Sequence, residues 1–104
     1  MSDISVQTDT GAPAGEQCVR QVQVTNQLGL HARPASQIAR EAQAFAASIT
    51  IAGQGQSVDA KSILDILTLS AAMGSTLEIR ADGTDAPQAV DRITELFAAK
   101  FGEK

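Results

Sequence analysis

Four short stretches of this chain alternate apolar and polar residues, and three others repeat apolar residues every three or four positions, so strand and helix periods take turns along the sequence. From Cys18 to Val24, the apolar Cys18, Val22 and Val24 share one parity and Gln21 and Gln23 the other, which predicts a half-buried strand. Arg20 interrupts the apolar parity and points to an edge position. Ala35, Ile38, Ala39, Ala42 and Phe45 then recur at helical spacing, with Arg33, Gln37, Arg40 and Glu41 between them. Ile49 and Ile51 alternate with Ser48 and Thr50, Gly53-Gln54-Gly55 supplies a turn, and Val58 follows in a return strand. Ser62 opens a short apolar helix through Leu69, with Asp65 three residues on as a capping-box partner, and Gly74 ends the connection. Leu77, Ile79 and Ala81 alternate with Glu78 and Arg80 in the last strand. Asp85 and Pro87 start a final helix carrying Ala89, Val90, Ile93, Leu96, Phe97 and Phe101 on one side. The predicted order is β-α-β-β-α-β-α.

Strands that alternate in this way need one covered face, and three amphipathic helices are available to cover it. The fold class is therefore α+β, a four-stranded antiparallel sheet with three helices on one face. With 104 residues, 43% of them hydrophobic, the chain makes one small domain that can bury a core without disulfides or metal. Ser2 to Gly15 is polar and shows neither period, so residues 1–16 are expected to form a disordered tail ahead of a domain at 17–104. A single cysteine, Cys18, excludes an intrachain disulfide and suggests a reducing, cytoplasmic setting. No apolar run has the length of a membrane span and the first residues hold no signal-peptide core, so no membrane insertion is expected.

Charge and composition remove several function classes. Of the formal net charge of −4, three negative units come from Asp3, Asp9 and Glu16, which precede the first basic residue. The domain is then almost neutral and lacks the basic face of a nucleic-acid binder. Without Trp or Tyr, and with only Phe45, Phe97 and Phe101, it has no base-stacking platform either. One His and one Cys cannot build a Cys/His zinc site, and no Ser/His/Asp set or phosphate-cradling glycine loop stands out. No metal and no cofactor is expected.

The remaining candidate is the only histidine. In Gly29-Leu30-His31-Ala32-Arg33-Pro34-Ala35 it stands at the start of a helix, since Gly29 permits a tight turn and Pro34 suits a first helical turn. Open N–H groups, the helix dipole and the Arg33 guanidinium favour an anion on the imidazole. The same field keeps the ring in its neutral, nucleophilic form. A lone histidine at such a place is commonly only a surface cap. The motif as a whole, however, resembles the active-site signature of the HPr family, the histidine-containing phosphocarriers of the bacterial sugar phosphotransferase system. Asp59-Ala60-Lys61-Ser62-Ile63-Leu64 resembles the family's regulatory serine region at its usual distance downstream, and the likeness runs from about Cys18 to Glu103.

That resemblance implies an open-faced sandwich in which the first and last strands are neighbours. It implies that His31 accepts a phosphoryl group on Nδ1 from enzyme I and passes it to IIA domains, with Arg33 balancing the phosphate charge and Pro34 setting the helix start. It makes Ser62 a target for a dedicated kinase of the HPr kinase/phosphorylase type, although Ser62 with Asp65 also reads as a plain helix cap. Ile63, Leu64 and Leu67, left outward when Ile66 and Leu69 turn in, would form a docking patch close to His31, with Arg40 part of the same partner surface. A monomer is expected. Asp65, Ser70 and Leu28 depart from residues usual in the family and are compatible with a regulatory branch. Two alternatives stay open: a paralogous phosphocarrier serving a nitrogen-related or regulatory relay, and a non-carrier binding module in which His31 is incidental.

Overall fold

A computed structural model describes residues 16–103 of the chain; of the expected tail at 1–16, residues 1–15 lie outside them, and Glu16 instead opens the first strand. Strand β1 (Glu16–Gln23) is followed by helix α1 (Ala32–Gln43), the hairpin β2 (Ser48–Gly53) and β3 (Gln56–Asp59), helix α2 (Ile63–Thr68), strand β4 (Thr76–Gly83) and helix α3 (Ala86–Ala98). A short left-handed turn at Lys100–Gly102 closes the described chain. The strands lie in the order β1-β4-β2-β3, every pair antiparallel, so the first and last strands are neighbours as expected. The hairpin turns on Gln54 and Gly55, whose φ values of 53° and 77° match the primed turns that fit strand twist.

Strand alternation explains how the sheet is covered. Ile51 faces Val58 on one side and Ile79 on the other, Ile49 faces Ala81, and Val22 faces Leu77. All of these are buried, while Gln21, Gln23 and Arg80 between them are exposed. Helix α3 packs on β1 and β4 through Ala89, Val90, Ile93 and Phe97, and α1 packs against both α2 and α3 through Ala35, Ile38, Ala39 and Ala42. Each fully buried isoleucine contributes roughly 1.5–3 kcal/mol by leaving water. Arg20 sits opposite Ile79, on the helix side of the sheet. Because β1 is an edge strand, its guanidinium escapes to solvent and donates from Nη2 to Asp91 Oδ1 of α3 at 2.9 Å.

Several local expectations are corrected. Phe45 lies beyond the end of α1 and is half-buried against the core. Phe101 is not on α3, which stops at Ala98; it reaches the core from the left-handed turn and meets Phe97 edge to face at 4.9 Å. Asp85 is the N-cap residue of α3 yet makes no cap bond, because its two carboxylate oxygens accept the backbone N–H groups of Ala46 and Ala47, both at 2.9 Å. Those bonds, that of Ala46 foremost, hold its carboxyl below the ordinary aspartate value. At Ser62 half of the capping box forms. Ser62 Oγ accepts Asp65 N–H at 3.2 Å, but the Asp65 carboxylate turns to Asp59 N–H and Ser62 N–H donates to the Asp59 carbonyl instead. No helix among the described residues is long and apolar enough to cross a membrane.

Candidate functional site

The segment between β1 and α1 is clipped onto the segment before β4. Val24 N–H donates to Ser75 O at 2.9 Å, Gly74 N–H to Val24 O at 2.8 Å, and Leu30 N–H to Ala71 O at 2.9 Å. Gly29 makes the last contact possible. Its φ is +70°, and a Cβ there would stand 2.6 Å from Ala71 O, so both backbone angle and space demand glycine. Leu30 is buried and anchors the next residue, His31, as the N-cap of α1. The His31 carbonyl accepts Ala35 N–H at 3.0 Å, while its ring makes no bond to the helix. Pro34 lies buried in the first turn and has no N–H, so the open donors at this end are Ala32 and Arg33.

The His31 side chain is 37% exposed, and its Nε2 lies 3.0 Å from Oε2 of Glu103. Seventy-two positions separate these residues. Glu103 is delivered by the turn after α3, where Lys100, Phe101 and Gly102 have φ of 55°, 56° and 79°. Buried Phe101 pins that turn, and Gln37 of α1 donates from Nε2 to the Phe101 carbonyl at 3.2 Å. The same Oε2 accepts from Asn26 Nδ2 at 3.0 Å, and Asn26 Nδ2 also donates to Gly29 O at 2.8 Å. Asn26 is 1% exposed, and its Oδ1 is buried without a partner among the described residues. The bond from His31 foremost, then those from Asn26 and the Leu28 N–H, hold the Glu103 carboxyl below the ordinary glutamate value against the opposing effect of burial. An ionised carboxylate can only accept, so in the neutral ring the proton resides on Nε2 and Nδ1 keeps its lone pair. Asn26 and Glu103 were missed by the sequence reading.

Other expected residues are distributed more widely. Arg33 is exposed and makes no hydrogen bond or ion pair among the described residues; it lines a groove between α1 and α3 with Ser36, Gln37 and Arg40. Arg92 shares that groove but is tied to Glu41 at 2.8 Å and Glu95 at 3.0 Å, which leaves Arg33 and Arg40 as its cations without an ion pair among the described residues. Ile63 and Leu64 are exposed at 41% and 75%, whereas Leu67 is half-buried and packs on the core, which corrects its place in the outward patch. At the His31 end, Leu28 and Met73 are exposed apolar residues that the sequence reading did not include.

Ser62 stands at the far end of α1 from His31. Gln43, the last residue of α1, donates to Lys61 O at 2.9 Å, and Lys61 Nζ donates to Phe45 O at 2.9 Å. Twelve helical residues span roughly 18 Å, so the start of α2 is remote from the imidazole and the expected nearness of its whole patch to His31 is reduced to the α2 C-terminal end. Among the described residues no group of His, Cys, Asp and Glu is arranged to hold a metal ion.

A four-stranded antiparallel sheet covered by three helices, with one half-exposed histidine at a helix start, defines a small open-faced α+β domain built around that residue. The chain belongs to the HPr family of phosphocarrier proteins of the phosphotransferase system: residues 18–99 match the family described as "PTS HPr component phosphorylation site". It is 38% identical to the phosphocarrier protein HPr of Cupriavidus necator over 84 residues, 81% of this chain and 94% of the relative. It is 44% identical to the phosphocarrier protein NPr of Shewanella violacea over 84 residues, covering 81% and 92%. Among solved structures, HPr-C-His of Thermoanaerobacter tengcongensis superposes with a TM-score of 0.80 at 32% identity, covering 84% of this chain and 98% of that one. HPr from Bacillus anthracis gives 0.74 at 37% identity, covering 78% and 96%.

Proposed function

We propose that this protein carries a phosphoryl group on Nδ1 of His31, accepting it from enzyme I and handing it to IIA domains of sugar permeases in the cytoplasm. The observation that carries this reading is the tethering of the other ring nitrogen. With Nε2 bonded to Glu103, the chain's only histidine has a single nucleophilic nitrogen, on a ring 37% exposed to partners. Arg33 and Pro34 supply charge balance and the helix start, and a guanidinium matches phosphate oxygens better than an ammonium does. Ile63, Leu64 and Arg40, with the edge of Leu67, form the docking surface, and Ser62 is its regulatory position for a kinase of the HPr kinase/phosphorylase type. The carrier works as a monomer, since its active ring has to meet two different partners in turn.

The NPr of Shewanella violacea, 44% identical to this chain, favours a second reading in which the same chemistry serves a paralogous relay with other partners. Incubation with phosphoenolpyruvate and enzyme I, followed by mass measurement, tests the carrier role. One acid-labile phosphoryl group is expected on the wild type and none on His31→Ala, whose fold should be unchanged. Labelling only by an enzyme I paralogue moves the protein to the second relay. Wild-type labelling of His31→Ala would refute the assignment, and no labelling by either enzyme would make the protein a non-carrier binding module.

A further inference from the structure

The histidine site contains two features that the fold alone does not call for, and both converge on one carboxylate. Asn26 is buried with its Oδ1 unmet among the described residues, a condition that opposes folding. Its two amide hydrogens instead serve Gly29 O and Glu103 Oε2. Flipping the amide would turn Oδ1 toward two acceptors, so this orientation is forced by what Asn26 holds. The turn that brings Glu103 back has two successive non-glycine residues, Lys100 and Phe101, in the left-handed region, a conformation that L side chains adopt only under strain. Strain and an unmet acceptor are both maintained where Glu103 meets His31.

Building on the carrier reading, we propose that Glu103, aimed by Asn26, is a positioning residue for His31. It fixes the ring proton on Nε2, turns Nδ1 out as the nucleophile, and lies against the positive charge the ring gains on phosphorylation. The electron count gives such a partner a task. When the donor is a phosphohistidine, the Nδ1 lone pair forms the new N–P bond while the donor's P–N bond breaks and its electron pair leaves with the donor imidazole. The Nε2 proton stays, so the His31 ring becomes an imidazolium beside the Glu103 carboxylate. On delivery the N–P bond breaks, its electron pair returns to Nδ1, and the neutral Nε2–H ring is regenerated. A carboxylate that merely tied down the C-terminal turn would not need to meet the ring at all. The arrangement follows the same physical logic as a carboxylate orienting a catalytic or metal-bound imidazole.

The test uses the full chain and three variants: Glu103→Ala, Glu103→Gln and Asn26→Ala. Nitrogen NMR of the His31 ring, without any phosphoryl donor, reads the tautomer directly. The wild type should hold its proton on Nε2. Glu103→Ala should mix the two tautomers, and Glu103→Gln, whose amide oxygen still accepts, should keep the wild-type one. Phosphoryl acceptance from enzyme I should slow roughly 10–100-fold in Glu103→Ala, with Glu103→Gln between it and the wild type because orientation survives and charge does not. Asn26→Ala should slow acceptance less than Glu103→Ala and add nothing when combined with it. A Glu103→Ala protein with the wild-type tautomer and wild-type rate overturns the positioning role while leaving the carrier reading intact. A wild type that accepts no phosphoryl group overturns the carrier reading and this proposal with it.

Discussion

Helices α1 and α2 start with different polar N-cap residues, and the two side chains do opposite things. Ser62 turns its oxygen back to the helix and accepts the Asp65 N–H, the ordinary service of an N-cap. The His31 side chain gives its helix nothing; its ring faces Glu103, and the first turn of α1 begins without a side-chain cap. Around Ser62 the backbone is conventional, while around His31 it relies on a left-handed Gly29, a buried Asn26 and a left-handed C-terminal turn. On the proposed carrier role, the start whose side chain turns away from the helix amid these demanding conformations is the one that serves the chemistry. The other start serves the fold, and any regulation there has to be superimposed on a structural role.

The comparison breaks most readily at Gly29. Gly29→Ala would force a left-handed alanine and push its Cβ to 2.6 Å from Ala71 O, so the clip to the α2–β4 segment has to open. Gly55→Ala is the control, because φ there is +77° but an added Cβ meets nothing within 4 Å. It should lose only the backbone preference, about 1–2 kcal/mol. Gly29→Ala should lose at least ~1 kcal/mol more, each kcal/mol lowering Tm by roughly 4–8 °C in a domain of this size. Urea and thermal unfolding of the two variants measure this. Equal losses would mean that the clip yields without strain and that the His31 region is no more constrained than a hairpin turn.

The contrast also explains what the sequence could and could not reveal. Alternation in β2 and β4 and the apolar stripes of α1 and α3 are local patterns, and all four elements appear where those patterns place them except at Phe45 and Phe101, which fall beyond the ends of α1 and α3. The His31 motif was legible because the glycine, histidine and proline act within a few residues of one another. Glu103 was not, since its partner lies seventy-two positions away and nothing local distinguishes it from a solvated terminal glutamate. Asn26 looks like a turn residue in sequence, and only the packed structure reveals it as buried. Asp85 was read as a cap because local spacing favoured that, yet the β2 approach offered its carboxylate two backbone donors in place of its own helix. Phe101 fitted the helical stripe of α3, but a left-handed turn carried it to the same core by another route. In each case a tertiary contact competed with a local preference and prevailed.

A smaller effect sharpens the docking half of the picture. Leu64 is 75% exposed, so Leu64→Glu should leave Tm within about a degree of the wild type while weakening enzyme I binding roughly tenfold, or about 1.4 kcal/mol. Leu67 packs on the core, so Leu67→Glu should lose stability as well as binding. Titration calorimetry beside thermal unfolding separates the two. Unchanged affinity in Leu64→Glu would remove the start of α2 from the docking surface and leave Ser62 with its structural role alone.

The finest distinction lies at Ser62 itself, between cap and switch. Ser62→Ala removes the Oγ that accepts Asp65 N–H and should cost ~1 kcal/mol without changing phosphoryl acceptance. Ser62→Asp keeps a capping oxygen and adds a negative charge at a helix N-terminus, so its stability should equal or slightly exceed the wild type's. Any fall in phosphoryl acceptance must then arise from the charge. That charge cannot act directly on the imidazole, because α1 holds the two ends roughly 18 Å apart, about twice the ~8 Å Debye length at physiological salt. It has to act on whatever docks across α2. We therefore expect Ser62→Asp to slow enzyme I-dependent phosphorylation several-fold at low salt, with the deficit shrinking as the Debye length falls from ~10 Å at 0.1 M to ~3 Å at 1 M. A deficit that persisted undiminished at 1 M salt would point to a change in the fold of α2, and equal rates at low salt would leave Ser62 a helix cap and nothing more.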